Sequence, residues 1–346
     1  MFSTRELNLD EVAYLARIHT APGIDAEVDR ADAARYAETL MRRGLPVLFD
    51  RGHLAYATCL RSSVVAWIAT TPSRNYTTFR MAKRSGGSRE ITAPRPALKH
   101  VQTWIHQQIT SRLAPHEACH GFVTGRSIVS NAKPHTDQAI VLKLDLLDFF
   151  PSVSRNAVFR TYRRIGYNRA VANLLTSLTT LRGGLPQGAP TSPQLANLAA
   201  YEMDVRLSAY CQRQGLTYTR YADDLTFSGA HGAHAGAKRM IETIIRGSGF
   251  RPNEVKTRYM RKSERQVVTG IVVNERANWP RDRVRWLRQE IYYLERYGLS
   301  DHLARRGDDH ARYKEYIYGH VFALNSARPD KALPLLEALD RVAWPY

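Results

Sequence analysis

Apolar and polar positions follow two different periods along this chain. Recurrence every three to four residues, the mark of a helix with one buried face, aligns Leu98, Val101, Ile105 and Ile109 within 97–113. It aligns Leu195, Ala199, Met203 and Leu207 after Ser192-Pro193, where a capping residue followed by proline predicts a helix start. Within 281–297 it gathers Val284, Leu287, Ile291 and Leu294 on one side and leaves Arg281, Arg285 and Arg288 on another. Further helices are predicted as a pair within 5–43 (Val12, Leu15 and Ile18 on the first, Tyr36 and Leu40 on the second), divided by Pro22-Gly23. Others fall at 62–68, within 156–181, at 238–246 and on either side of Arg328-Pro329. Strand-like segments interrupt these: 76–94 with a Gly86-Gly87 turn, 139–145, 216–229 and 266–274. The mixture predicts an α+β fold.

Two of the strand segments carry acids. In 216–229, Thr217, Tyr218, Thr219 and Tyr221 precede Asp223-Asp224, and Leu225, Thr226 and Phe227 follow, so the acids sit at the tip of a tight hairpin. A solvated Asp-Asp turn is the ordinary reading of such a pair. The apolar flanks argue against it, and adjacent carboxylates on rigid backbone repel unless a cation compensates them. Upstream, alternation in 139–145 puts Ile140, Leu142 and Leu144 on one face and Val141, Lys143 and Asp145 on the other. Asp145 thus ends an apolar strand, and with Asp223 and Asp224 it completes a set of hard oxygen donors of the kind Mg²⁺ prefers.

Charge narrows the partner. The 346 residues carry 50 Lys+Arg against 32 Asp+Glu, a net charge of +18, and basicity on that scale calls for a polyanion such as nucleic acid. No lipidation signal, amphipathic anchor or run of membrane-spanning length is evident, so no membrane partner is expected. Cys59, Cys119 and Cys211 are scattered and never form C-x-x-C; they read as reduced thiols of a cytoplasmic protein. The histidines of the Gly-rich stretch 231–236, His231 and His234, read as surface residues.

Taken in order, the LDLLDFFPS block from Leu144, Leu185-Pro186-Gln187-Gly188-Ala189-Pro190-Thr191-Ser192-Pro193 and Tyr221-Ala222-Asp223-Asp224 resemble three palm motifs of reverse transcriptases. Asn131-Ala132-Lys133-Pro134-His135 and Val268-Thr269-Gly270 resemble the NAxxH and VTG signatures of the bacterial retron subgroup. The resemblance spans roughly 44–330. It implies a right-hand polymerase, with an N-terminal helical segment (1–43), fingers and a palm whose antiparallel sheet is backed by helices (44–255), and a small thumb with a C-terminal RNA-binding region (256–346). Asp145, Asp223 and Asp224 with the backbone carbonyl of Leu146 would hold two Mg²⁺, roughly 3.5–4 Å apart. Arg89 and Lys83 of the 76–94 hairpin would grip the triphosphate of the incoming dNTP, a planar guanidinium being able to bond phosphate bidentately. Phe150 would block a 2′-hydroxyl beneath the sugar, Gln187 and Gly188 would lie against nucleotide and template, and Lys256 would protonate leaving pyrophosphate. The glycines of 120–128 would let backbone approach nucleic acid. Bland readings stand beside these: a core phenylalanine, a surface lysine, and cap or core roles for Asn131 and His135.

The implied activity is RNA-directed DNA synthesis on the protein's own structured noncoding RNA, primed from a guanosine 2′-hydroxyl and yielding branched RNA–DNA (msDNA). A separately encoded effector and anti-phage defence would go with it. The segment 267–274 beside the 281–297 helix offers a compact surface for reading an RNA stem-loop. The competing readings are another bacterial reverse transcriptase, group II intron-like or of abortive-infection type, and a catalytically silent RNA-binding scaffold.

Overall fold

A computed structural model describes residues 27–82, 87–229, 236–307 and 312–344. Lys83, Arg84, His231, His234 and the helix expected around Val12 lie outside the described residues. The chain divides into two compact units, each assembled from separated segments: residues up to 116 with 147–204 and 246–250, and residues 117–146 with 205–245 and 251 onward.

In the first unit, β1 (Tyr76–Ala82) and β2 (Ser88–Pro94) form an antiparallel hairpin in register from Tyr76 opposite Pro94 to Ala82 opposite Ser88. Only its base is buried, at Tyr76, Thr92 and Pro94; further out, even the apolar Phe79 and Met81 of β1 are exposed. Helices surround that base. Pro96–Gln108 starts with a proline whose missing N–H costs nothing in the first turn. It buries Leu98, Val101 and Ile105 as the stripe predicts. Gln102 is buried among them because its amide donates to the carbonyl of Leu178 and to the hydroxyl of Tyr76, both at 2.7 Å. The 156–181 segment resolves into Arg155–Arg164 and Arg169–Thr179, each opened by a side-chain cap, Ser154 and Asn168.

One expectation here is corrected. Ser192 does not cap its helix; it is the first helical residue of Ser192–Ala199, and its hydroxyl donates instead to Pro186 O at 2.7 Å. The helix then breaks at Ala200 before Tyr201–Arg213, so the stripe from Leu195 to Leu207 belongs to two helices.

The second unit is built on a four-stranded antiparallel sheet of order β4–β5–β3–β6: β3 (Ile140–Asp145), β4 (Thr217–Tyr221), β5 (Asp224–Gly229) and β6 (Arg258–Arg261). As an inner strand, β3 is buried on both faces; Val141, on the face shared with Lys143 and Asp145, is 0% exposed. β6 falls outside the strand-like segments that the sequence predicts. Its arginines suit an edge strand, where charge discourages further pairing. Val141 packs into a second core with Val268, Ile271, Leu287, Ile291 and Val321. That core lies under a small hairpin, β7 (Val267–Val268) and β8 (Ile271–Val272), and under helices Arg281–Arg306, Tyr313–Asn325 and Pro329–Arg341. The first of these helices runs past its predicted end at 297 and kinks at Gly298, whose φ of 74° is left-handed. Glu290 ties the two halves together, accepting from His302 Nε2 at 2.9 Å and from Arg306 and Tyr313. Among the described residues, no helix is long and apolar enough to cross a membrane.

Candidate active site

The sheet register brings the acids together. Asp145, the last residue of β3, pairs directly with Asp224, the first of β5. Between β4 and β5 the chain reverses over Ala222 and Asp223, with Tyr221 opposite Asp224. Ala222 holds a left-handed φ of 57°, sparsely populated for a residue with a Cβ. Its surroundings hold it there. The Arg220 side chain, 0% exposed, donates from Nη1 to the Ala222 carbonyl at 3.0 Å, and a short parallel pairing runs alongside, Arg220 N to Ala118 O and His120 N to Arg220 O, both 2.7 Å. Gly121 packs against the turn so closely that a Cβ there would lie 2.5 Å from the backbone nitrogen of Ala222. Its lack of a side chain therefore lets this segment pack directly on the turn. Leu146 N donates to Asp223 O at 2.9 Å, binding the turn to the end of β3.

Asp145 is fixed by residues that follow the sheet. Asn253 N donates to its carbonyl at 2.7 Å and Asn253 Nδ2 to its carboxylate at 3.2 Å; Lys256 Nζ reaches both carboxylate oxygens, at 3.1 and 2.9 Å. Sequence reading gave Asn253 no role, and only its place three residues before Lys256 singled it out. The bond to Asp145 holds the Lys256 ammonium charged to higher pH than usual. Desolvation raises the pKa of Asp223, with repulsion from Asp145 and Asp224 adding to it. Desolvation raises Asp224 too, opposed by Lys143 with Nζ at 3.9 Å. A cavity of about 630 Å³ opens beside the acids, with Lys143, Lys256, Arg258 and Arg265 in its wall. Among the described residues, no three His, Cys, Asp or Glu side chains are grouped so as to hold a metal ion; here the charge on Asp145 is met by Lys256. The donor set itself, carboxylate oxygens held close together and already drawing the ammonium groups of Lys256 and Lys143, suits a hard divalent cation.

The remaining predicted site residues belong to the other unit. Arg89 is exposed on β2, opposite Met81. Phe150 is half-buried, its ring 5.5 Å from that of the buried Phe149, so the core phenylalanine of the pair is Phe149. Gln187 O accepts from Thr92 N at 2.7 Å. Gly188, at φ 128°, lies where a Cβ would press on Ile91 and on the Thr92 carbonyl at 3.0 Å. Its close approach is to β2.

Comparison with known proteins completes the description. The family described as reverse transcriptase (RNA-dependent DNA polymerase) matches residues 81–290. The Retron Mx162 reverse transcriptase of Myxococcus xanthus is 38% identical over 316 residues, 80% of this chain and 65% of that protein's length. The Retron Ec86 reverse transcriptase of Escherichia coli is 33% identical over 268 residues, 76% of this chain and 84% of that protein. Among solved structures, a telomerase from Candida albicans with a fragment of telomeric RNA aligns at a TM-score of 0.40 and 11% identity, over 79% of this chain and 58% of that one.

Proposed function

The chain belongs to the reverse transcriptase family, in its retron branch, and from that membership we propose that it copies its own structured noncoding RNA into DNA, primed from a guanosine 2′-hydroxyl in that RNA, to give branched RNA–DNA. The observation that carries the chemical part is the pairing of Asp145 with Asp224, beside the turn that presents Asp223. In this reading 44–255 serves as fingers and palm, 256–346 as thumb, and 1–43 as an N-terminal helical segment. The enzyme works in the cytoplasm, in anti-phage defence with a separately encoded effector.

Asp145, Asp223, Asp224 and the Leu146 carbonyl would hold two Mg²⁺, which when bound supply a lowered pKa for the attacking hydroxyl and neutralise charge at phosphorus. Arg89 clamps triphosphate oxygens from the hairpin, with Lys83 as its helper. Gln187 and Gly188 bear on the nucleotide and template. Lys256, kept charged by Asp145, delivers a proton to the departing pyrophosphate once that carboxylate is otherwise engaged. The decisive experiment incubates purified protein with the RNA that copurifies with it, dNTPs and Mg²⁺. A DNA product joined to RNA through a 2′–5′ linkage is expected; no DNA, or DNA only from added primers, would refute the retron reading.

Phe150 is assigned the sugar gate because it stays half-exposed while Phe149 fills the core. Phe150→Val should raise ribonucleotide incorporation relative to dNTPs by roughly tenfold or more, since the substitution removes a clash. Unchanged relative efficiencies in single-nucleotide extension would move the gate elsewhere.

RNA recognition is placed on the second unit, where a cavity of about 640 Å³ is lined by Trp279, Arg265, Arg276, Arg281, Arg328 and Lys331. A-form RNA hides its base edges in a deep groove, so phosphates and 2′-hydroxyls of a stem-loop are what such a surface reads. Arg276→Glu with Arg281→Glu should weaken binding of the cognate RNA about tenfold or more and flatten the salt dependence by roughly one unit of slope per lost phosphate contact. Extension of a generic primer should persist.

A further inference from the structure

The two short signatures of the retron branch are distant in sequence, yet their side chains meet. His135 is 0% exposed. Its Nδ1 lies 2.7 Å from Ser228 Oγ on β5 and its Nε2 2.8 Å from Thr219 Oγ1 on β4. Thr219 stands four residues before Asp223, and Ser228 four after Asp224. One imidazole therefore bridges both strands of the hairpin that carries the acids. The Thr219 hydroxyl donates to the backbone carbonyl of Asn131 at 3.3 Å. With its single proton so used, Thr219 accepts from Nε2–H, and Nδ1 accepts from Ser228. Burial supports the neutral ring this requires, lowering the pKa of His135 to about 3.

The chain of bonds continues into the second signature. The Asn131 amide reaches Thr269 Oγ1 at 3.5 Å, and Thr269 Oγ1 donates to Ile128 O at 2.9 Å. Thr269 and Gly270 form the β7–β8 turn at φ of 46° and 84°. Glycine tolerates that backbone, but a β-branched threonine is strained in it. A threonine whose hydroxyl clamps the helix Ile128–Ala132 has a reason to be there that an asparagine or glycine lacks. Asn131, like His135, is 0% exposed, so neither side chain is presented to a partner.

We propose that Asn131, His135 and Thr269 are positioning residues of one hydrogen-bond chain that holds the catalytic hairpin in register, and that the buried side chains of Asn131 and His135 do not read RNA. The proposal rests on the polymerase reading above, and its test separates the two. Four quantities are measured for each variant: kcat and dNTP KM on a generic annealed primer–template, affinity for the cognate RNA, and melting temperature. Extension by the wild type judges the polymerase reading; the ratio of variant to wild type judges the positioning role. His135→Leu should lower kcat about 10–100-fold, the scale of a misplacement near 1 Å, with KM and RNA affinity within about twofold, as expected when orientation alone is lost. Two conservative variants guard against a His135→Leu protein that fails to fold. His135→Asn can replace the bond from Nδ1 and His135→Gln that from Nε2, so each should recover part of the rate. Thr269→Ser should sit above Thr269→Ala in kcat, because the hydroxyl is kept. Loss of cognate-RNA affinity with kcat unchanged on the generic template would overturn the proposal, as would wild-type kcat in both His135→Gln and His135→Asn.

Discussion

Asp223→Asn and Asp224→Asn are each expected to cut DNA synthesis by about a thousandfold or more while leaving cognate-RNA affinity within about twofold. Removing one group aimed at charge that develops in the transition state costs on this scale, whereas the basic surface proposed to hold the RNA is left alone by the substitutions. The same variants carry a second, opposite expectation for stability. Desolvation and like charges raise the pKa of both acids in the folded protein. The unfolded chain thus gives up these protons at lower pH than the folded one, and above that pH ionisation favours unfolding. The penalty grows as pH rises from the unfolded value through the raised folded value, and it is relieved as pH falls back through that window. Asparagine abolishes it, so the melting temperature of Asp223→Asn at pH 7 should equal or exceed that of the wild type. Mg²⁺ should raise the wild-type melting temperature and have less effect on the variant. Asp145→Asn should be as inactive but without that gain, because Asn253 and Lys256 already engage its carboxylate. Near-normal incorporation by Asp223→Asn would remove the site, and RNA binding lost together with synthesis would point to a collapsed fold.

Much of this was legible because it depends on local periods. The helix stripes at Leu98 and Val284 and the hairpins at 76–94 and 216–229 each follow from a pattern a few residues long, and the packing agrees with them. What the sequence hid depends on partners far away in the chain. The arginines at 258 and 261 look like solvated charge until β6 is seen to pair with β3, more than a hundred residues earlier. Helix 281–297 ran on because the Gly298 kink is secured by Glu290, His302 and Tyr313, spaced so that no period announces them. Asn131 and His135 fit their bland reading and the signature at once: they are hydrogen-bonded core residues, and the core they bond is the back of the hairpin that carries Asp223 and Asp224. In the same way, Gly188 and Gly121 are places of close approach whose protein neighbours, β2 and the Ala222 turn, lie far off in the chain.

Gly121→Ala is the substitution that turns this last point into a large effect. A Cβ on Gly121 would lie 2.5 Å from Ala222 N, 3.1 Å from Tyr221 C and 3.3 Å from Ala222 Cα, all backbone atoms of the turn that presents Asp223. None is the flexible end of a side chain, so relief requires one of the two segments to move. Both are tethered: 118–120 through its pairing with Arg220, and the turn through Arg220 Nη1 and Leu146 N. Overpacking of this kind costs about 1–3 kcal/mol, which a chain of this size survives, so the protein should fold with a modestly lower melting temperature. The acids, however, would be displaced by a fraction of an ångström to one ångström, and misplacement on that scale lowers rate by roughly a hundredfold. The expected result is a folded, RNA-binding protein whose kcat on a generic primer–template falls about a hundredfold. Gly125→Ala serves as the control for loop chemistry: its added Cβ meets nothing within 4 Å, although its φ of 77° makes alanine strained there. It should lose stability without a comparable loss of kcat. Wild-type kcat in Gly121→Ala, or equal kcat losses in the two variants, would show that the turn is not held by this contact.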